Sequence, residues 1–450
     1  MQNTTICALA TGAGGAVALV RLSGPQSLPI LRTLLRAKYD FVPRRQVFCT
    51  LYDGQTVLDK ALVTYFQAPH SFTGEDVVEF ALHGSPYIKG RLLELLCAHG
   101  ATPAQRGEFS KRAFLNGKMD LVEAQGLCDL IAAGNRAAHD LAMRSLDGQM
   151  SARLKTIKQT LSSLLAQIEV RLDDADEEMT PLPDDAVARG ISAALTPIMQ
   201  LADTFSVGRL IKEGLQVAIV GAPNSGKSSL LNALLGFDRA IVADTCGTTR
   251  DTVEETLELN GQKIRLTDTA GIRDHALDPA EQEGMRRSRA AMQKADVILF
   301  VLDTSRAVTA QEQTLFEEVK KQNKRTCIVC NKTDKAAAPH TLNGAEKFTA
   351  LNVSCKTGKG LDALKNFLTA QTENPQTADG LLISNLRHYQ ALLRAQTELE
   401  SALLRLKTHA GGEIYAEHIR GALSQLKELI GEVTPDDILG IIFSQFCRGK

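Results

Sequence analysis

The sequence predicts a multidomain chain: an α+β N-terminal domain, an α-helical bundle domain, and an α/β domain inserted into that bundle. Three observations carry this. Residues 1 to 116 hold short β-type runs alternating with helical patterns. From Leu121 onward the apolar period becomes 3.6. That period stops near residue 213, gives way to apolar strand patterns, and resumes past residue 380.

In the first domain the strand patterns are Val17–Leu22, Val47–Tyr52, Ala61–Phe66 and Val77–Leu82, with a helical pattern over Ile88–Ala98. Next, Leu121, Ala124, Gln125, Cys128 and Ile131 fall on one stripe and open a long helical region reaching about Glu169. The acidic run from Asp173 to Glu178, followed by Pro181 and Pro183, reads as a helix break and a solvated loop. Helical pattern returns from Asp184 to Lys212, and again over Leu381–Leu406, Ile414–Ile430 and Asp436–Phe446. An insertion explains the gap, because the ends of a compact domain tend to lie close together at its surface. The boundaries that follow are 1–116, 117–213 for the first helical part, 214–372 for the insert and 373–450 for the second helical part. Inside the insert, Val253–Leu259 and Gln262–Thr267 flank Asn260-Gly261, a pair that tolerates the positive φ of a type I′ hairpin turn.

The insert also carries the chemistry. Gly221-Ala-Pro-Asn-Ser-Gly-Lys227-Ser228-Ser229 follows the apolar run Gln216–Val220 and precedes Leu230–Leu235. A strand, a glycine-rich loop and a helix N-terminus in that order form a phosphate cradle, the mark of a P-loop α/β GTPase or ATPase domain. Lys227 is placed to neutralise the β and γ phosphates and the Ser228 hydroxyl to hold Mg²⁺. The base is read about a hundred residues later by Asn331-Lys332-Thr333-Asp334, after the strand pattern Thr326–Cys330. A carboxylate at Asp334 accepts from the ring N–H and exocyclic amine of guanine, donors that adenine lacks on that edge, so GTP is the expected substrate. Between them stand Asp268-Thr269-Ala270-Gly271, for the γ-phosphate, and Gly247-Thr248-Thr249-Arg250-Asp251, while Ser354-Cys355-Lys356 closes the set beside the base. All five motifs are expected at strand C-termini.

Ile272 is the irregular position. An aliphatic side chain directly after Asp-x-x-Gly cannot orient water, so another group must do so or the domain turns over slowly. Asn224 and the 243 to 248 segment suggest the replacement.

Outside the insert, Ser71-Phe-Thr-Gly-Glu-Asp76, Gly107-Glu-Phe-Ser110, the run from Arg112 to Leu121 and the ending Phe446-Cys-Arg-Gly-Lys450 resemble the bacterial tRNA-modification GTPases (MnmE/TrmE family) that act on wobble uridine. Their G domain is similar to the translation-factor-related branch of P-loop GTPases. Arg448 stands where that family carries an apolar residue. The resemblance implies a K⁺ ion held by Asn224, the backbone of Ala243 and Thr245, and Thr248, with Ser228 and Thr249 on Mg²⁺. It extends the nucleotide site through Asn224, Ser225, Gly226, Lys227, Ser228 and Ser229 and through Ala243, Asp244, Thr245, Cys246, Gly247, Thr248 and Thr249. Glu281 aligns with the family's water-positioning glutamate, with Glu283 as a rival. A reduced folate (5-formyl- or 5,10-methylenetetrahydrofolate) is implied at Arg21, Glu79 and Lys118, joined by Lys450. Cys447, read from its own surroundings, is either a reactive thiol with Arg448 and Lys450 close by in sequence or a packed side chain. A homodimer, a heterotetramer with an FAD- and NADH-dependent protein of the MnmG/GidA family, and tRNA complete the implied partners. Two other classes stay open: a ribosome-assembly GTPase, and a nucleotide-gated binding switch with negligible turnover.

Composition narrows the field. With 450 residues and a net charge of -1, the chain is long enough for two to four domains and lacks the cationic excess of a protein that grips RNA through a broad basic surface. Nine scattered cysteines point to reduced thiols and a cytoplasmic address. The apolar run Val297–Leu302 is far too short to span a membrane, so none is expected. Cys327 and Cys330 share a strand with no second pair at metal spacing.

Overall fold

The computed structural model describes residues 4–12, 14–172, 182–237, 254–268, 289–335, 342–370, 380–408, 411–433, 436–444, 446 and 449. The chain divides into two compact units. One comprises Met1–Cys128, Arg144–Ala194 and Thr397–Lys450; the other comprises Asp129–Met143 and Leu195–Gln396.

In the first unit, strands β1 (Thr5–Leu9), β2 (Val17–Ser23), β3 (Gln46–Asp53), β4 (Thr56–Phe66), β5 (Val77–His83) and β6 (Ala101–Pro103) form one sheet in the order β3-β4-β5-β2-β1-β6. Alternation decides its faces. Val20, Leu22, Val63, Tyr65, Val78, Phe80 and Leu82 point into a core with helices α1 (Ser27–Thr33) and α2 (Pro86–Ala98), each full side-chain burial being worth about 1.5–3 kcal/mol. The intervening residues, Arg21 and Glu79 among them, lie on the opposite face and stand opposite each other in the β2–β5 register. Helix α3 (Glu108–Leu115) follows. The five-residue strand β1 and its parallel partner β6 are additions to the expected pattern.

The helical run expected from Leu121 to Glu169 is three helices, α4 (Leu121–Ala132), α5 (Arg136–Leu146) and α6 (Gln149–Leu172). The breaks have local causes. Asn135 caps the second helix by accepting from the Ala138 N–H at 2.8 Å, and Gly148 takes φ 77, a conformation that L side chains rarely adopt. Likewise the Asp184–Lys212 pattern resolves into α7 (Asp184–Asp203) and α8 (Phe205–Glu213), parted at Thr204, whose hydroxyl donates to the Leu201 carbonyl at 2.6 Å. The acidic run 173–178 lies outside the described residues.

The second unit holds a sheet in the order β12-β11-β10-β7-β9-β8. Its strands are β7 (Leu215–Val220), β8 (Glu254–Leu259), β9 (Gln262–Asp268), β10 (Val297–Asp303), β11 (Arg325–Asn331) and β12 (Thr349–Asn352). All neighbours are parallel except the β8–β9 hairpin, whose turn residues Asn260 and Gly261 have φ 51 and 77 as a type I′ turn requires. A parallel sheet is covered on both faces, which is why its strands are continuously apolar. Val217, Ile219, Val297, Leu299 and Val301 face one core with helices α9 (Lys227–Phe237) and, further along the chain, Leu361–Thr369. Ala218, Val220, Ile298, Phe300 and Leu302 face the other with α10 (Ala310–Lys321). We number Leu361–Thr369 as α11; α12 (Leu386–Lys407), α13 (Gly412–Ile430) and α14 (Asp436–Ser444) follow.

The chain enters and leaves this sheet side by side. The Ile383 N–H donates to the Thr204 hydroxyl at 2.9 Å, and Phe205 stacks on Tyr389 with ring centroids 4.2 Å apart. A Cβ on Gly208 would lie 2.2 Å from the Ile383 carbonyl oxygen, so only glycine permits this approach.

Candidate nucleotide site and a second polar site

The phosphate loop runs from Gly221, at the end of β7, to Lys227, the first residue of α9. It is narrow by construction. A Cβ at Gly221 would meet the Val301 carbonyl at 2.5 Å, and one at Gly226, where φ is 97, would meet Asn331 Nδ2 at 2.2 Å. Asn224 takes φ 62, the left-handed conformation that Asn tolerates better than most residues. Lys227 Nζ lies across the loop and donates to the Ala222 carbonyl at 2.8 Å. Ser225 Oγ is buried with no hydrogen-bond partner. A buried hydroxyl awaiting a partner, a buried lysine and the start of a helix fit an anionic phosphate chain. Ser228 and Ser229 are exposed in the first turn of the helix.

The base motif is bonded directly to this loop. Asn331 Nδ2 donates to the Ser225 carbonyl at 3.1 Å, and the Cys355 N–H donates to Asn331 Oδ1 at 3.4 Å. Lys332 Nζ donates to the Asn224 carbonyl at 2.7 Å and to Asp303 Oδ2 at 2.6 Å. The Ser354 hydroxyl donates to Asp334 Oδ1 at 2.7 Å, and that bond holds the Asp334 carboxyl below the ordinary aspartate range. Asp334 is thereby kept ionised and exposed, as an acceptor for a base must be. Lys356 adds its positive charge in the same sense. So Asn224 to Lys227, Asn331, Lys332, Asp334, Ser354 and Cys355 converge at the C-terminal ends of β7, β11 and β12, where ligands of open α/β sheets bind.

Asp303 and Thr304 are part of this assembly although the sequence pattern alone did not single them out. The Thr304 N–H and hydroxyl both donate to the Asn331 carbonyl, at 3.0 and 2.8 Å. Burial pushes the Asp303 carboxyl up, but Lys332 and Ser305 outweigh it and hold its pKa at about 2. The available signal was an Asp-Thr pair straight after an apolar strand that pairs with the strand bearing Asn331.

The second half of the expected site lies outside the described residues: Ala243, Asp244, Thr245, Cys246, Gly247, Thr248 and Thr249, then Thr269, Ala270, Gly271, Glu281 and Glu283. Asp268 ends β9 and pairs with Ile219 through the backbone. The Gly247–Asp251 motif, expected like the others at a strand C-terminus, lies wholly outside the described residues. Cys327 and Cys330 pack into the cores on opposite faces of the sheet. Three residues apart on a strand, they point apart, and burial pushes the Cys327 thiol up to about 12. Among the described residues no group of three or more His, Cys, Asp or Glu could hold a metal ion.

On the N-terminal sheet, Arg21 forms an ion pair with Glu79 at 2.8 Å and lies 5.1 Å over the Phe72 ring and 5.6 Å over that of Phe109. Its other nitrogen donates to the Gly449 carbonyl at 3.3 Å, and a Cβ on Gly449 would lie 2.4 Å from Ala10 Cα, so the tail is seated on the β1 end. Lys118 Nζ donates to the Pro69 carbonyl at 3.0 Å, beside the same 69–76 loop. Cys447 and Lys450 lie outside the described residues. The loop is braced from below by Arg112, 2% exposed, which pairs with Glu75 at 3.2 Å and Glu108 at 2.9 Å and donates to the Thr4 carbonyl at 2.7 Å. Ser71–Asp76 and Gly107–Leu121 are therefore two halves of one network.

Two family models match the chain. One, described as "MnmE helical domain", covers residues 121–447, and the other, "GTP-binding protein TrmE N-terminus", covers residues 5–118. Among similar curated proteins, each called "tRNA modification GTPase MnmE", that of Aquifex aeolicus is 40% identical over 452 residues, spanning 99% of each chain. That of Alkalilimnicola ehrlichii is 42% identical over 453 residues, covering 100% of both. The Acinetobacter baylyi protein is 42% identical over 452 residues, covering 100% of this chain and 97% of its own.

Proposed function

Because the chain belongs to the MnmE/TrmE family of tRNA-modification GTPases, we propose that it hydrolyses GTP in a K⁺-dependent cycle that drives addition of an aminomethyl-type group at C5 of wobble uridine in certain tRNAs. The observation that carries the nucleotide half is the bonding of Asn331 and Lys332 to the phosphate loop, which supports one site for base and phosphates together. Lys227 and the start of α9 bind the phosphates; Asp334, oriented by Ser354, selects guanine. Ser228 and Thr249 would hold Mg²⁺, and Asn224, Ala243, Thr245 and Thr248 would hold K⁺. Bound there, these cations would supply fixed positive charge to stabilise the charge that develops during phosphoryl transfer. Glu281, with Glu283 as its rival, would align the water that Ile272 cannot.

The remaining assignments rest on the same family. The Arg21–Glu79 pair offers both a guanidinium for a carboxylate tail and a carboxylate for the donor edge of a pterin, which supports a reduced-folate site completed by Lys118 and Lys450. The side-by-side passage of the chain at Thr204 and Ile383 supports insertion of residues 214–372 between helical parts 117–213 and 373–450, after an N-terminal domain over 1–116. A homodimer, a flavin- and NADH-dependent partner, tRNA and a cytoplasmic address belong to this reading. No helix among the described residues is long and apolar enough to cross a membrane.

The test exchanges Na⁺ for K⁺ at constant ionic strength while GTP turnover is measured. Turnover should rise by about 10-fold or more in K⁺, the scale of a missing transition-state charge. Equal rates in both salts would remove the cation, and negligible turnover in both would favour the nucleotide-gated switch that Ile272 also permits. Nucleoside analysis of tRNA from cells lacking the protein tests the modification, with unchanged wobble uridine as the refuting result.

A further inference from the structure

We propose that Asp303 is a positioning residue that sets the phosphate loop, and Asn224 within it, in the geometry that K⁺ requires; this rests on the cation reading above. Asp303 ends β10 directly opposite Asn331 in the β10–β11 register. Its side chain is 8% exposed, and its carboxylate accepts from Lys332 Nζ at 2.6 Å and from the Ser305 N–H and hydroxyl at 3.0 and 2.6 Å. Lys332 spends its other observed bond on the Asn224 carbonyl at 2.7 Å. The ammonium thus joins two left-handed residues, Lys332 at φ 65 and Asn224 at φ 62. Such conformations are costly for residues with a Cβ and persist where the surroundings hold them.

Two consequences follow for a cation at Asn224. Without the Asp303 charge, Lys332 is held less firmly and the Asn224 peptide is free to leave its left-handed state. The Lys332 ammonium, one hydrogen bond from Asn224, would also lose its counter-charge and repel a second positive ion nearby. Both effects weaken K⁺ binding. A role confined to supporting the guanine base would instead change nucleotide affinity and leave the K⁺ requirement where it was.

The test uses the full chain with Asp303→Asn, and with Asp303→Glu as a second variant that keeps the charge and shifts it by one methylene. Turnover is measured against K⁺ concentration at constant ionic strength, and dissociation of a fluorescent GDP analogue is measured separately because it needs no turnover. Asp303→Asn should raise the half-activating K⁺ concentration about tenfold and speed GDP release by a similar factor, while saturating K⁺ restores most turnover; Asp303→Glu should fall between. A K⁺ requirement within about twofold of wild type in both variants overturns the proposal, even where GDP release is faster, since that pattern marks support of the base alone. Wild-type turnover that is equal in K⁺ and Na⁺ removes the cation reading and this proposal with it. Wild-type dependence on K⁺ with unshifted variants removes the proposal only.

Discussion

Replacing Asn331 by alanine should cut GDP and GTP affinity by about 10- to 150-fold, because one side chain ties the phosphate loop to the base motif. Asn331 is 1% exposed, and its amide donates to the Ser225 carbonyl at 3.1 Å while accepting from the Cys355 N–H at 3.4 Å. A buried polar group left without its partner costs about 1–3 kcal/mol. The second contact is at the long limit and adds little, so the total is about 1.5–3 kcal/mol, which converts to the affinity range given. The loss should fall mainly on binding, since the nucleotide must then order a loop that the apo protein holds to the base motif only through the Lys332–Asn224 bond. Equilibrium titration with a fluorescent GDP analogue at fixed Mg²⁺ reads it, with thermal unfolding to verify the fold. Gly226→Ala attacks the same contact from the other side, its Cβ falling 2.2 Å from Asn331 Nδ2. The double variant should therefore lose less than the sum of the two. Affinity of Asn331→Ala within about twofold of wild type would refute the reasoning.

Other outcomes follow from the same geometry. Asp334→Asn should weaken GTP and favour xanthosine triphosphate, because the acceptor oriented by Ser354 gains a donor; a competition titration in which GTP affinity is unchanged removes Asp334 from base reading. Arg21→Ala should lower affinity for 5-formyltetrahydrofolate by about tenfold or more without altering GTP affinity, as calorimetry would show, since a charge-assisted pair is broken there. Asp303, folded pKa about 2 against about 3.9 unfolded, contributes stability that is complete above the unfolded value and lost as pH falls through the folded one. Urea unfolding should accordingly find the gap between wild type and Asp303→Asn steady from about pH 7 to 5 and closing between about pH 4 and 2; a gap unchanged at low pH would show that Lys332 does not hold Asp303 ionised.

What the sequence alone determined was everything written in residues close along the chain. The order strand, glycine loop, helix at Val220 to Leu235, the Asn260-Gly261 turn, the continuously apolar strands and the 3.6 period from Leu121 all depend on neighbours within a few positions, and each is an element of the fold. Even the division of the helical region from Leu121 to Glu169 into three helices had a local sign in Asn135 and Gly148, which periodicity overrode because a stripe can continue across a short break. The tertiary structure decided what depends on distant segments meeting. It joined Lys332 to Asp303 and Asn224, and Arg112 to Glu75 and Thr4, and it set the Gly449 carbonyl against Arg21 across a separation of 428 residues. Such contacts leave no periodic trace, because a buried charge is satisfied by whichever partner the packed backbone brings within about 3 Å, and that choice is made by register and sheet order rather than by spacing along the chain.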